Sequence, residues 1–162
     1  AHKVCPVTAV QNRYSMMARQ HEALFPVLEE LNVGFVAFST LANGLLTARY
    51  GKDDKFDPKL DYRSAMPQFT PEAAEQNRAL LELLRDLAER KRATPAQISL
   101  AWMLCKKPYI VPIPGSRKVD RMRENAGAAD ISLTGEEVAA LDKLLDSIPM
   151  SAVFGGTRIV AR

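Results

Sequence analysis

A short cationic segment follows an apolar run late in the chain, in the stretch "VPIPGSRKVDRMREN" at residues 111–125. The apolar run ends at Gly115, and a short helix is predicted to begin there with Arg117, Lys118 and Arg121 in its first turn. The N-terminus of a helix carries a partial positive charge and favours acidic side chains. Cations at this position therefore suggest that an anion binds beside them.

The residue types and their spacing suit a phosphate group. Gly115 lets an anion approach the backbone, while Ser116 and the free N–H groups of a helix start can donate hydrogen bonds to it. Arginine can bind phosphate through two parallel hydrogen bonds. Arg117 and Arg121 are four residues apart, so they share one face of the predicted helix.

The same helical face continues with Glu124 and Asn125, which offer an acceptor and an amide that would suit the edge of an adenine. From spacing alone, a solvated charged face without a ligand remains an alternative. A nucleic-acid patch is disfavoured because the cluster is small and has no interleaved aromatic residues.

The composition predicts one globular domain over residues 1–162, with 47% hydrophobic and 25% charged residues and a net charge of only +3. No apolar run approaches the roughly 18 residues of a membrane helix, so neither a membrane nor a nucleic-acid partner is predicted. Cys5 and Cys105 form neither a disulfide framework nor a metal-binding pattern. We therefore expect no metal, and a reducing cytoplasm as the compartment.

Apolar runs and helical periods alternate along the chain, which predicts an α/β fold with a parallel sheet. The runs are apolar throughout, as in strands covered by helices on both faces. Residues 42–69 lack periodicity and are interpreted as a lid or binding loop. Strands are predicted at 7–12, 34–39 and 109–115, and helices at 21–32, 70–88, 94–105, 118–127 and 134–148, with an unpatterned tail at 149–162.

Two helix features follow from the sequence. Thr134 and Glu137 have the spacing of a capping box, and Thr94 before a proline is a second start signal. In the helix predicted at 21–32, one face is apolar; it comprises Leu24, Val27, Leu28 and Leu31.

The segment "IPGSRKVDRMREN" closely resembles the cofactor signature of the aldo-keto reductases. The segments at 7–15, 33–50 and 93–104 resemble the sixth strand, the seventh strand with its loop, and the helix before the last strand of that family's (β/α)8 barrel. All four occur in the family's order. The resemblance implies an α/β partial TIM barrel of about three β/α units, the C-terminal half, because a complete barrel takes roughly 250 residues.

The resemblance also implies NADPH as the cofactor, with a site residue at each matching position. Gln11 would hold the nicotinamide carboxamide, although a satisfied amide at a strand end is the alternative. Phe38 would stack on the nicotinamide ring or belong to the core. The remaining contacts would be Ser39, Leu41 and Asn43 to the pyrophosphate, Gly115, Ser116, Arg117 and Arg121 to the 2′-phosphate, and Glu124 and Asn125 to the adenine.

Four residues depart from the family pattern around the pyrophosphate and nicotinamide. Thr40 stands where proline is usual, Ala42-Asn43 replaces a common Gly-Arg pair, and Arg13 replaces a common glutamate. These departures leave the details of pyrophosphate binding open.

The family's catalytic Asp, Tyr, Lys and His come from earlier strands, so no catalytic residue is predicted here. Tyr14 is not at the catalytic position, and His2 and His21 do not follow strand ends. We expect the cofactor-binding part of an NADPH-dependent reductase of aldehydes or ketones. The alternatives are a non-catalytic NADPH-binding or regulatory module, and a half-barrel without cofactor. Expected partners are NADP(H), a carbonyl substrate, and a second copy or the missing N-terminal half.

Overall fold

The sheet has three parallel strands in the order β1 (Ala9–Arg13), β2 (Gly34–Phe38) and β3 (Ile110–Pro112). The computed structural model describes residues 1–153. The last nine residues of the predicted tail lie outside the described part. The parallel sheet and its strand order confirm the α/β prediction, and the register aligns Gln11 with Val36 across the first pair of strands.

Helices connect and flank the strands as the sequence predicts, with two differences. The helix predicted at 70–88 is divided at Asn77, and the one predicted at 21–32 begins as a 3-10 turn, Glu22–Leu24. In the part of the chain that the structure describes, no helix combines the length and apolarity of a membrane span. The α-helices are α1 (Phe25–Glu30), α2 (Pro71–Gln76), α3 (Arg78–Lys91), α4 (Pro95–Lys106), α5 (Val119–Ala126) and α6 (Gly135–Ser147).

Helix α3 is separated from α2 at the fully buried Asn77, which bonds a distant segment. Its side-chain amide donates to Ser151 Oγ, and its side-chain oxygen accepts from the Ser151 backbone N–H, both at 2.9 Å. The sequence could not show this contact, because the two residues are 74 positions apart. The pair fixes residues 149–153 against the break between the two helices.

The core lies on one face of the sheet and is rich in aromatic side chains. Phe35 of β2 is fully buried and packs edge-on against Tyr14 and Phe25, with ring centroids 5.7 and 5.5 Å apart. Trp102 of α4 stacks on Tyr14 at 5.4 Å, and its indole N–H donates to Asp142 at 2.9 Å. Helices α1, α4 and α6 therefore meet around this aromatic cluster.

The apolar face predicted for the first helix is mostly exposed in the described chain. Of the four residues, only Leu28 is buried; Leu24, Val27 and Leu31 are 40%, 50% and 37% exposed. The helix starts at Phe25, with a proline in its first turn, after a tighter 3-10 turn. The buried positions of the helix are Phe25 and Leu28, which lie three residues apart on one face.

The second face of the sheet is not covered by the described helices, although strands that are apolar throughout are typical of sheets covered on both faces. On β2, Phe35 and Ala37 are buried, whereas Phe38 is 37% exposed. In the neighbouring strands Gln11 is exposed and Val111 is 54% exposed. The predicted buried strand at 7–12 is therefore a half-exposed strand, Ala9–Arg13. We call this surface, comprising Gln11, Arg13, Val36, Phe38 and Val111, the open face.

Capping by threonine fixes the starts of α4 and α6, as the sequence predicts. The Thr134 side chain accepts from the Glu137 backbone at 3.1 Å, and the Glu137 carboxylate accepts from the Thr134 backbone at 2.8 Å. Thr94 forms the same reciprocal box with Gln97. Each box satisfies two backbone N–H groups that a helix end would otherwise leave without a partner.

Candidate functional site

A cavity of about 290 Å³ opens at the carboxyl ends of β2 and β3. Its walls come from the turn after β2, the segment that follows β3, and one side of α5. In open parallel sheets, ligands bind outside the carboxyl ends of the strands, where connecting loops meet. We call it the strand-end cavity.

The structure brings most of the sequence-predicted site residues to this cavity, although they come from segments about 70 residues apart. Gln11 and Phe38 lie instead on the open face, and Arg117 lines an adjoining cavity of about 720 Å³. The residues that line the strand-end cavity are Ser39, Leu41, Asn43, Gly115, Ser116, Arg121, Glu124 and Asn125.

The turn after β2 has an unusual backbone. Ser39, Ala42 and Asn43 have positive φ angles of 55°, 47° and 60°, and Gly44 has a φ of 101°. Such angles are uncommon outside glycine, and each costs on the order of 1–2 kcal/mol. A Cβ at Gly44 would lie 3.2 Å from the ring of Tyr50, so a side chain there is disfavoured both by conformation and by space. Strained backbone of this kind is concentrated at ligand-binding sites.

Thr40 carries a buried hydroxyl that has no hydrogen-bond partner among residues 1–153. The residue is 1% exposed and lines the strand-end cavity. A buried hydroxyl without a partner costs roughly 1–3 kcal/mol. A polar group of a ligand in the cavity would satisfy it. Sequence reasoning noted Thr40 only as a departure from proline and missed this property.

The cations around the cavity are only partly neutralised. Arg63 is bonded to Asp61, with Nε 2.9 Å from Oδ1, and this hydrogen bond lowers the pKa of Asp61. By contrast, Arg117, Lys118 and Arg121 form no ion pair with any residue in 1–153. The side of the cavity next to α5 therefore has an excess of positive charge.

Helix α5 starts later than the sequence suggests. It begins at Val119, so Arg117 and Lys118 precede the helix, and its first turn contains Asp120 and Arg121. The prediction of three cations in the first turn is therefore wrong, because Ser116 Oγ accepts from the Lys118 N–H at 3.1 Å and turns the chain before the helix. Lys118 occupies the N-cap position without a side-chain cap. The free N–H groups of the first turn thus remain next to the cationic segment.

Residues 42–69 are more ordered than the aperiodic sequence predicts. They contain three 3-10 helices: Ala42–Thr47, Tyr62–Ala65 and Pro67–Phe69. The Arg63 guanidinium lies 4.8 Å from the ring centroid of Tyr50 and 4.4 Å from that of Phe56. Such cation–π contacts, with the aromatic pairs around them, fold the segment onto itself beside the cavity.

The same segment supplies cavity residues that sequence reasoning missed. Arg49, Tyr50, Tyr62 and Arg63 line the strand-end cavity, and Arg49 Nη2 lies 3.1 Å from Glu124 Oε2 of α5. The arginine–tyrosine pairs "RY" and "YR" within an otherwise aperiodic segment were the available signal. Their meeting with α5 depends on contacts across about 75 residues.

Arg13 lies at the boundary between the open face and the strand-end cavity. Its Nη1 donates to Ser39 Oγ at 2.9 Å, and its guanidinium carbon is 5.2 Å from the ring centroid of Phe38. Partial burial lowers the pKa of Arg13. Since Phe38 is 37% exposed, it is not a core residue of the described chain. Gln11, two residues before Arg13 on the same strand face, is also exposed.

Tyr14 and the histidines lie outside the cavity. Tyr14 is fully buried in the aromatic core and donates to Glu22 at 2.6 Å; burial, and then this hydrogen bond, raise its pKa. His2 Nδ1 accepts from the Val7 backbone at 3.1 Å, and His21 precedes a 3-10 turn. Within residues 1–153, no group of three His, Cys, Asp or Glu side chains could hold a metal ion.

Comparison with known proteins gives consistent matches. The aldo/keto reductase family matches residues 1–146. Aldo-keto reductase str7 of Strobilurus tenacellus is 40% identical over 150 residues, which cover 90% of this chain and 44% of that protein. The chain thus spans less than half the length of this relative.

Two solved structures extend the comparison. The glycerol dehydrogenase AKR11B4 of Gluconobacter oxydans superposes with a TM-score of 0.81 at 25% identity, over 99% of this chain and 47% of that one. An aldo/keto reductase of Klebsiella pneumoniae, in complex with NADP and acetate, superposes with a TM-score of 0.59 at 25% identity. The superposition covers 85% of this chain and 39% of the Klebsiella protein.

Proposed function

The chain belongs to the aldo/keto reductase family, and we propose that its strand-end cavity binds the adenosine 2′-phosphate and pyrophosphate of NADPH. The observation that carries the proposal is the convergence of Ser116, Arg121 and Glu124 with the turn after β2 in one cavity. An NADP-bound relative from Klebsiella pneumoniae supports the choice of cofactor. The intact protein would reduce an aldehyde or ketone.

The cavity residues fit a phosphate-bearing ligand on the α5 side. Arg121 lines both the strand-end cavity and the adjoining one that Arg117 lines, and neither arginine is neutralised within residues 1–153. A Cβ at Gly115 would meet no atom within 4 Å, so the backbone there is open to a close approach. We assign the 2′-phosphate to Ser116, Arg117 and Arg121, with Gly115 leaving the space. Two charge-assisted arginine contacts match phosphate geometry.

The remaining contacts follow the cavity from α5 to the strand ends. Glu124 and Asn125 would contact the adenine, since they offer an acceptor and an amide on the same wall. The turn after β2 would hold the pyrophosphate through Ser39, Leu41 and Asn43. Thr40 lies in the same turn. Its buried hydroxyl, which has no partner within residues 1–153, supports a polar ligand there.

The nicotinamide would extend over the open face, where we assign Gln11 to its carboxamide and Phe38 to its ring. Bound NADPH would supply the hydride for carbonyl reduction. This chain's residues orient the dinucleotide and shield one side of it, whereas we assign no proton donor to this chain. Tyr14 is excluded because its hydroxyl is buried and bonded to Glu22.

Titration calorimetry of the chain with NADPH, NADH and adenosine 2′,5′-bisphosphate tests the proposal. NADPH should bind, the bisphosphate should retain much of that affinity, and NADH should bind about 10- to 150-fold more weakly than NADPH because it lacks a charge-assisted phosphate contact. Equal affinity for NADPH and NADH would contradict the phosphate assignment. Heat-denatured protein provides the blank.

A non-catalytic NADPH-binding or regulatory module is the second candidate. It is favoured by the absence of an assigned proton donor in this chain. Incubating the chain with NADPH and a panel of aldehydes, and following absorbance of the reduced nicotinamide, separates the two. The isolated chain should bind without turnover. Turnover only when the remainder of a barrel is supplied supports the reductase, and the absence of NADPH binding supports a purely structural half-barrel.

The open face leads to a proposal about assembly. Val111 is 54% and Ile113 45% exposed, beside Val36 and Phe38 on the same sheet surface. Apolar patches of this kind usually mark a contact with a partner. We expect the isolated chain to cover the open face with a second copy.

Size-exclusion chromatography with light scattering tests this expectation and should give roughly twice the 17.9 kDa of one chain. A cooperative monomer without dye-accessible apolar surface would contradict this.

The two cysteines bear on the compartment. Cys5 and Cys105 are both free thiols in the structure. Free thiols fit a reducing compartment, so we retain the cytoplasm as the proposed location.

A further inference from the structure

Arg49 connects the segment after β2 to α5 across the strand-end cavity. Its Nη2 donates to Glu124 Oε2 at 3.1 Å, and both side chains line the cavity. The Glu124 side chain is 18% exposed and that of Arg49 is 48% exposed, so the carboxylate is the more enclosed partner. Ala48, with a φ of 53°, turns the chain immediately before Arg49 and directs it towards α5.

The Arg49–Glu124 ion pair uses only one of the two oxygens of the Glu124 carboxylate. A carboxylate has two oxygens and about four lone-pair sites. Oε2 accepts from Arg49, whereas Oε1 accepts no hydrogen bond from any residue in 1–153. Glu124 is also two residues from the end of α5, where the helix dipole disfavours a negative charge. Arg49 offsets that effect and limits the carboxylate to orientations in which Oε2 faces it.

We propose that Arg49 is a positioning residue that holds Glu124 Oε1 for the exocyclic amine of the purine, and thereby makes the site select adenine over a 6-oxopurine. This inference rests on the proposed NADPH site, because it concerns how one wall of that site recognises the base. Arg49 acts through Glu124 and makes no contact with the base itself.

The selection follows from hydrogen-bond chemistry. The adenine amine is a donor, so a carboxylate oxygen held in place can accept from it. Hypoxanthine has a carbonyl oxygen at that position, and two acceptors would then face each other without a shared hydrogen. A carboxylate without a positioning partner can rotate away and be hydrated, so the penalty for hypoxanthine decreases. Removal of Arg49 should therefore change the ratio of the affinities for the adenine and hypoxanthine forms of the dinucleotide more than it changes phosphate binding.

Titration calorimetry with NADPH and its hypoxanthine analogue, deamino-NADPH, tests the proposal on the full chain. The unaltered protein should prefer NADPH by roughly 5- to 100-fold. Arg49→Met should reduce that ratio by about threefold or more, and Arg49→Lys should restore part of it because an ammonium can still donate to Oε2. Glu124→Gln, whose amide can donate as well as accept, should bring the two affinities close together.

Arg78→Met provides the matched control. Arg78 forms a 3.0 Å ion pair with Glu75 on α2–α3, away from the strand-end cavity, and both side chains are mostly exposed. Arg78→Met should keep the same ratio of NADPH affinity to deamino-NADPH affinity as the unaltered protein. Far-UV circular dichroism and melting curves of every variant show whether a loss of ratio accompanies a loss of fold.

The outcomes separate the inference from the proposed function. If the unaltered chain binds neither dinucleotide, the proposed function fails and this inference fails with it. If NADPH binds but Arg49→Met keeps the full ratio, only the positioning role is overturned. Tighter binding of both dinucleotides by Arg49→Met would also overturn it, because Arg49 would then compete with the ligand for Glu124.

Discussion

Helices α4 and α5 precede and follow the same strand, β3, but they differ in how their ends and faces are used. Helix α4 begins with the Thr94–Gln97 capping box and is buried around its whole circumference between Ile98 and Met103. Helix α5 begins without a side-chain cap and buries none of its residues. On α5, Met122 is 56% exposed.

The two helices on either side of β3 therefore contribute differently: α4 to stability, and α5 to the proposed ligand site. A buried aromatic side chain such as Trp102 contributes several kcal/mol, whereas the exposed face of α5 contributes little burial. The unneutralised Arg121 and the uncapped N-terminus would both be weaknesses in a purely structural helix. They are explained if an anion completes the site. Substitutions in the two helices should therefore change different measurable quantities.

The largest expected effect is on stability, from Trp102→Ala in α4. Trp102 is fully buried, stacks on Tyr14 and donates to Asp142, so its truncation leaves a cavity and removes one hydrogen bond of Asp142. The free energy of unfolding should fall by about 3–5 kcal/mol. Denaturant titration measures it. Met122→Ala in α5 is the control and should change it by less than about 0.5 kcal/mol. If Met122→Ala lowered the free energy of unfolding as much as Trp102→Ala does, the two helices would not differ in their contribution to stability.

The next effect is on ligand affinity, from Arg121→Ala in α5. NADPH should bind about 10- to 150-fold more weakly because one charge-assisted phosphate contact is lost, while NADH affinity stays unchanged. The melting temperature should hardly move. Arg123→Ala is the matched control, since the Arg123 side chain is 79% exposed and, within residues 1–153, pairs only with Asp120 on its own helix. An equal loss for both cofactors would contradict the 2′-phosphate assignment.

The third prediction concerns the two helix starts. Thr94→Ala removes the hydrogen bond that the Thr94 side chain accepts from the Gln97 backbone N–H and should cost about 1 kcal/mol of stability. Lys118→Ala at the equivalent position of α5 removes no side-chain cap and should cost less than about 0.5 kcal/mol. Chemical denaturation of both variants at neutral pH measures the difference. Equal costs would mean that the α5 start is stabilised by contacts other than a cap.

The smallest effect is a pH dependence at the capping box of α6. A hydrogen bond from Lys91, and then one from the Thr134 N–H, lower the pKa of Glu137 below its ordinary value of 4.5. A lowered pKa means that the unfolded chain takes up the proton first, so the contribution is present above about pH 4.5 and is lost as the pH falls through the folded-state pKa. Glu137→Gln should flatten the stability curve below that pH.

Denaturant midpoints between neutral and acid pH give this curve. Lys91→Met removes the main partner and should flatten the curve in the same direction as Glu137→Gln. If Glu137→Gln leaves the slope unchanged, another carboxylate accounts for the acid sensitivity of the chain.

Local chemistry in the sequence determined much of the fold. The threonine caps at 94 and 134, the strand order, and the position of the cationic segment after the last strand were all predictable. The reason is that a cap, a hydrophobic period or a glycine after a strand acts over a few residues. These signals also identified Arg121 and Glu124 as neighbours on one helical face.

Tertiary structure decided what depends on contacts between distant segments. The side of α1 that is buried is the one with Phe25, which packs against Phe35 and Tyr14. The open face agrees with the expectation of a partial barrel, whereas the apolar strands alone do not specify which face is covered.

The candidate site likewise combines features that the local sequence determined with features that contacts between distant segments decided. The sequence by itself determined which residue types could bind a phosphorylated nucleotide, because their chemistry belongs to the side chains. Only the folded chain brought Arg49 within 3.1 Å of Glu124 and left the buried Thr40 hydroxyl beside the cavity. Both depend on a turn with positive φ angles meeting a helix about 75 residues later, and no local pattern specifies where such segments meet.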